Sequence, residues 1–214
     1  NHNINLSIFN KENAATTVAS TISIASKFQI RFFATGGIGG VHLNAENTND
    51  VSADLYALSE NSNFVICSGA KSILDLSKTN ELLETLGITR IGYQTNYMPG
   101  FWYEETENKV DNRFDEIHEI SSFLKLNENI ENKKSILIFN KVPLNKALNK
   151  NDVEKWINNA TIKADRNNIS GKELTPFLIK EINEQSNNET LNANVSLIIN
   201  NANLAGKIAK SFYS

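Results

Sequence analysis

Apolar and polar positions along this chain alternate between a helical period and short continuous apolar runs. From Thr16 to Phe28, Val18, Ile22, Ile24, Ala25 and Phe28 recur at helical spacing, which predicts a helix. Gln29 to Ala34 reads as a short strand that ends at a glycine-rich turn, and polar Asn44 to Asn49 reads as a loop. A helix is expected from Ser52 to Ser59, since Asp50 and Ser52 are both good caps. Phe64 to Ser68 is the unbroken apolar run of a strand buried on both faces. Glu81 to Leu86 closes a helix at Gly87, and strands are expected over 88–93 and 135–139. Helices are predicted over roughly 152–166, 175–185 and 191–212, with Thr175 capping and Pro176 at the first helical position. Between them, Asn127 to Lys134 reads as a polar surface loop.

Strands alternating with helices predict an α/β fold: a mostly parallel sheet flanked by helices, an α/β/α sandwich, with a helical C-terminal part. The span 1–214 reads as one domain. In such sheets ligands bind at the carboxyl ends of the strands. The turn from Thr35 to Gly40 and the turn Gly69-Ala70-Lys71 both follow a strand, so they are expected to meet on one edge.

Composition narrows the function. The 214 residues carry a net charge of −3, which provides no global basic field for a nucleic-acid polymer. No apolar run approaches the roughly 20 residues that span a bilayer, so no membrane partner is expected. Cys67 is the one cysteine, and a reducing cytoplasm is the simplest expectation. Asparagine is abundant and proline occurs only 3 times, yet apolar periodicity persists between the asparagines and argues against disorder.

Three groups of residues carry candidate chemistry. Thr35, Gly36, Gly37, Gly39 and Gly40 bracket a turn whose backbone amides suit an oxyanion; it is neither a dinucleotide fingerprint nor a Walker loop. His42, Glu46, Asp50 and Asp54 fall four apart, an oxygen-rich set that suits a hard cation, although Asp50 also reads as a cap. Lys71 precedes Ser72 and Asp75, spaced like a capping box, so a helix is expected to start near Ser72. A lysine just ahead of that helix and beside Ile66 and Ala70 has its charged form disfavoured, which suits imine formation. The bland readings are a tight turn, solvated carboxylates and an exposed lysine. Phe101-Trp102-Tyr103 reads as core or as a subunit contact.

The chain resembles the pseudouridine-5′-phosphate glycosidase family (indigoidine synthase A-like). The matching stretches include Phe33 to His42 (FATGGIGGVH), Asp50 to Leu55 (DVSADL), Gly69 to Asp75 (GAKSILD), Ile91 to Thr95, Gly171-Lys172-Glu173, Thr175 to Leu178, Asn194, and Asn200-Asn201-Ala202. The resemblance covers essentially all 214 residues. It implies reversible cleavage of the C–C glycosidic bond of pseudouridine 5′-phosphate to uracil and ribose 5-phosphate, through an imine between a lysine and the ring-opened sugar. That lysine matches Lys71. Asp50 matches the ligand of a divalent cation, manganese. Val18 and the segment Ser52, Ala53 and Asp54 match substrate-contacting positions; Asn194 matches a polar site residue, and His42 a contact to the base. Members are homotrimers. The resemblance also implies a stretch ahead of Asn1 that carries a glutamate proton donor and a second lysine. This chain departs from the family pattern at Asn1-His2-Asn3, at Leu43-Asn44 after His42, and at Lys141 after Asn140. An inactive sugar-phosphate-binding or assembly subunit of the same fold is the alternative expectation.

Overall fold

The computed structural model describes residues 4–129 and 134–214. In chain order the elements begin with α1 (Ile4–Asn10), α2 (Val18–Lys27), β1 (Phe32–Ala34), α3 (Ala45–Thr48), α4 (Ala53–Glu60) and β2 (Phe64–Cys67). There follow α5 (Leu76–Thr85), β3 (Thr89–Tyr93), β4 (Asn112–Phe114), α6 (Ile117–Asn129), β5 (Ile136–Phe139), α7 (Lys150–Arg166), α8 (Leu174–Gln185) and α9 (Glu189–Tyr213).

The strands form one sheet in the order β1-β2-β5-β3-β4, and every pairing is parallel. Alternation along β2 and β5 explains the layers. Val65, Cys67, Leu137 and Phe139 point to one face, where they join Ile22 of α2, Leu55 of α4 and Val153 and Ala160 of α7. Phe64, Ile66, Ile136 and Ile138 point to the other, against Ile120 and Leu124 of α6 and Ile208 and Phe212 of α9. β2 and β5 are buried at every residue, as their continuous apolar runs require. The expected sandwich of helices on both faces of a parallel sheet is what forms.

Several local expectations fail for identifiable reasons. Asn44–Asn49 is not all loop: a single helical turn fits between Asn44 and Asn49, which both take left-handed φ (65° and 54°). Asparagine tolerates that conformation better than most residues. β1 begins only at Phe32, because Gln29 turns the chain with φ 57°. No helix starts at Ser72. Its hydroxyl donates instead to Gly100 O at 2.6 Å, and α5 begins at Leu76, capped by the Asp75 carboxylate accepting from Lys78 N at 2.9 Å. Thr175 does not cap α8, which opens one residue earlier from the short 3-10 turn Gly171–Glu173. Pro176 still sits in the first turn, where its missing N–H costs nothing. Asn127 belongs to α6; residues 130–133 of the expected loop lie outside the described residues. Phe101, Trp102 and Tyr103 are all buried core.

Candidate active site

The carboxyl ends of β1 and β2 run on into the two turns, and the turns continue the pairing of the strands. Ser68 N donates to Gly36 O at 2.9 Å, Ile38 N to Gly69 O at 3.0 Å, and Lys71 N to Ile38 O at 3.1 Å. Ile38 and Ala70 thus form a parallel bridge beyond the sheet. Gly69 makes this path possible: its φ is +84°, and a Cβ there would strike Pro99 O. Gly37 has an ordinary φ but faces the Phe101 ring, where a Cβ would come within 2.7 Å of it.

Above these turns lies a cleft of about 520 Å³. Of the residues expected from sequence, Val18, Thr35, Gly36, Gly37, His42, Ser52, Asp54, Lys71 and Asn194 line it. Ala53 and Asp50 do not. Ala53 is the exposed first residue of α4. Thr16, Thr17, Phe33, Phe101, Thr175 and Leu197 also line the cleft. The two threonines precede α2, whose first-turn amides have no intrahelical partner, Ala19 N being taken by Asp54. That polar doublet before an apolar face was the signal available for them.

The Lys71 side chain is half-buried and makes no hydrogen bond or ion pair among the described residues. Because α5 starts at Leu76, the helix dipole does not act on it at close range. Asp54 is buried, and its carboxylate accepts from Ala19 N and from Gly39 N, both at 2.8 Å. It therefore ties the start of α2 to the glycine turn. Ser52 caps α4 by accepting from Asp54 N at 3.3 Å. Asn194 accepts from the Trp102 indole N–H at 2.7 Å, which leaves its amide NH₂ for the cleft. The glycine turn is a smaller amide nest than expected, since Ile38, Gly39 and Val41 spend their N–H groups on Gly69 O, Asp54 and Thr79. Gly36 and Gly37 line the cleft with amides that make no hydrogen bond among the described residues.

The four-residue spacing of His42, Glu46, Asp50 and Asp54 is not a shared face. Glu46 turns outward and accepts from Lys78 Nζ at 2.8 Å, Asp54 is clamped as above, and only His42 and Asp50 approach, at 3.9 Å. Among the described residues no three His, Cys, Asp or Glu side chains converge on a cation. The Asp50 side chain is 37% exposed and accepts no backbone N–H among the described residues. A single accessible carboxylate fits a hard cation that keeps most of its waters, and does not fit a closed protein cage.

Residues 1–211 match the family model described as indigoidine synthase A like protein. The chain belongs to the indigoidine synthase A like family. Its family relatives include a protein of Petrotoga mobilis named pseudouridine-5′-phosphate glycosidase, 46% identical over 200 residues, with 94% of this chain and 65% of that protein covered. Another of that name, from Escherichia coli K12, is 41% identical, with 94% of this chain and 64% of the relative covered. The chain spans about two thirds of the length of these curated relatives. Among solved family structures, the prealnumycin C-glycosynthase AlnA in complex with ribulose 5-phosphate superposes with a TM-score of 0.92 at 32% identity, covering 99% of this chain and 70% of that one. An indigoidine synthase A-like protein of Thermotoga maritima gives 0.89 at 35% identity, covering 97% and 68%. No helix among the described residues is long and apolar enough to cross a membrane.

Proposed function

We propose that this chain carries the sugar-phosphate half of a pseudouridine-5′-phosphate glycosidase, with Lys71 as the amine that forms the imine. The observation that carries the reading is a half-buried lysine in a cleft that also holds two glycine amides, all three without polar partners among the described residues. The names of the relatives support the substrate, and the ribulose 5-phosphate complex of AlnA supports a five-carbon sugar phosphate in this fold.

The chemistry follows from the bond to be broken. A C–C glycosidic bond has no leaving oxygen to protonate, so an electron sink at C1′ replaces the paired carboxylates of ordinary glycosidases. Lys71 Nζ bonds to C1′ as the C1′–O4′ bond breaks and opens the ribose ring, O4′ taking the proton that the amine gives up. The nitrogen lone pair then forms C=N while the C1′–C5 bond breaks, its electron pair passing to the uracil ring, where C5 takes a proton. Water hydrolyses the imine to ribose 5-phosphate and restores the amine. The resemblance assigns the proton to a glutamate ahead of Asn1. Asn194, fixed by Trp102, donates toward a ligand oxygen; Val18 and Thr35 wall the sugar, and Ser52 and Asp54 hold the floor. His42 faces the base. Asp50 would hold a divalent cation, manganese in the family resemblance, which would supply positive charge to the site. The homotrimer implied by the resemblance has an apolar surface available in the exposed Leu6, Ile8 and Phe9 of α1. Light scattering at three times the mass of one chain tests it. A reducing cytoplasm suits the unpaired Cys67.

Borohydride reduction with ribose 5-phosphate tests the central claim. It should add one reduced sugar phosphate to the peptide bearing Lys71, and Lys71→Arg should abolish the adduct. Tight sugar-phosphate binding without any adduct at Lys71 would leave only the binding-subunit alternative.

A further inference from the structure

One side chain contacts the carbonyls of two consecutive peptides in the glycine turn, with Ser68 N as a second donor to one of them. Asn201 of α9 is fully buried, and its Nδ2 donates to Thr35 O at 2.8 Å and to Gly36 O at 3.4 Å. Its Oδ1 accepts from Asn140 Nδ2 at 3.0 Å, and the Ser68 hydroxyl lies 3.1 Å from Nδ2. Thr35, Ser68 and Asn140 are the residues immediately after β1, β2 and β5, three neighbouring strands. Asn201 thus sits where three strand ends converge and satisfies both carbonyls of a single turn.

Peptide planarity converts those bonds into a direction. In a trans peptide the C=O and the following N–H point in opposite senses. With Thr35 O drawn toward α9, Gly36 N–H faces the other way. With Gly36 O held by Asn201 and by Ser68 N, Gly37 N–H also faces away from the interior. Both glycines line the cleft and both amides lack partners among the described residues. We infer that Asn201 is the positioning residue of an anion cradle formed by the Gly36 and Gly37 amides, which takes the phosphate of the sugar. A staple between helix and sheet needs only one bond per strand end. Here one N–H goes to Thr35 O and the other is shared between the Ser68 hydroxyl and Gly36 O, so two consecutive carbonyls of the ligand-facing turn are in contact with the same amide. The identity of the anion rests on the proposed function, but the cradle's geometry does not involve Lys71.

The test reads the amides directly. Inorganic phosphate and ribose 5-phosphate should shift the ¹⁵N–¹H resonances of Gly36 and Gly37 in the unaltered protein. Asn201→Asp keeps the shape but sets an acceptor against Thr35 O. It should weaken phosphate binding about tenfold and remove those shifts, with no comparable change for a ligand lacking phosphate. Ser68→Ala, which removes only the hydroxyl shared with Asn201, should weaken binding about threefold and serves if Asn201→Asp does not fold. Unchanged phosphate affinity in a folded variant overturns the inference, as does phosphate binding in the unaltered protein without movement of the two amides. If borohydride trapping at Lys71 fails while those amide shifts persist, the imine reading falls and the cradle stands.

Discussion

At the scale of single residues, Asp54 is committed to the fold as much as to any ligand. Its two carboxylate oxygens satisfy Ala19 N and Gly39 N, donors from segments far apart in sequence. Asp54→Asn keeps one acceptor and turns an NH₂ against the other donor. A buried N–H left unsatisfied costs about 1–3 kcal/mol, so denaturant midpoints should show a loss of that size. An unchanged midpoint would mean the two amides find other partners. Asp54, His42 and Lys71 were legible as candidates because their residue types are chemically loaded. Asn201 appeared only within the family-matching stretch Asn200-Asn201-Ala202 and carried no role, because a chain so rich in asparagine gives no chemical reason to single one out; its complete burial against three strand ends does.

Among elements, the joint between α5, β3 and the approach to β4 depends on Arg90. The guanidinium is nearly buried, bonding Asp111 Oδ1 at 2.6 Å, Asn80 O at 3.0 Å and Asn80 Oδ1 at 2.9 Å. Arg90→Met strands the buried Asn80 acceptors, while Asp111 still reaches solvent. A loss of roughly 2–3 kcal/mol by urea unfolding is expected, below that of a fully buried ion pair. β2 and β5 were readable from sequence because burial on both faces leaves no polar residue to confuse the pattern. β4 was not, since Asn112-Arg113-Phe114 is an edge strand with charge on it. α6 was missed although Ile117, Ile120 and Leu124 fall at the i, i+3, i+7 spacing of a helix, and α1 was missed because it buries nothing. The spurious helix start at Ser72 shows how a capping pattern yields to a tertiary bond, here to Gly100 O.

For the whole molecule, two buried acids set the alkaline limit. Burial pushes the Cys67 thiol from its ordinary 9.0 up to about 12, and burial with the nearby Glu154 and Glu107 carboxylates pushes the Tyr103 phenol from 10.0 to about 12. Both contributions are complete below the unfolded values. As pH rises from 9.0 toward 12 the unfolded chain releases protons that the folded chain retains, so stability falls. Urea midpoints should decline over that window, and Cys67→Ala should make the early part of the decline shallower; parallel curves would exclude the thiol as a cause. A different consequence follows from the backbone bridge between Ile38 and Ala70. It joins the turn proposed to grip the phosphate to the turn carrying the attacking amine, so the gap between them is fixed by main chain. Such a pair of turns works as a ruler for sugar length. One carbon more or fewer between aldehyde and phosphate displaces the reacting carbon by about 1 Å, a misplacement on the scale of a hundredfold in rate. Trapping rates with four-, five- and six-carbon aldose phosphates should therefore peak sharply at five, and a flat series would show that the lysine side chain, not the bridge, spans the distance.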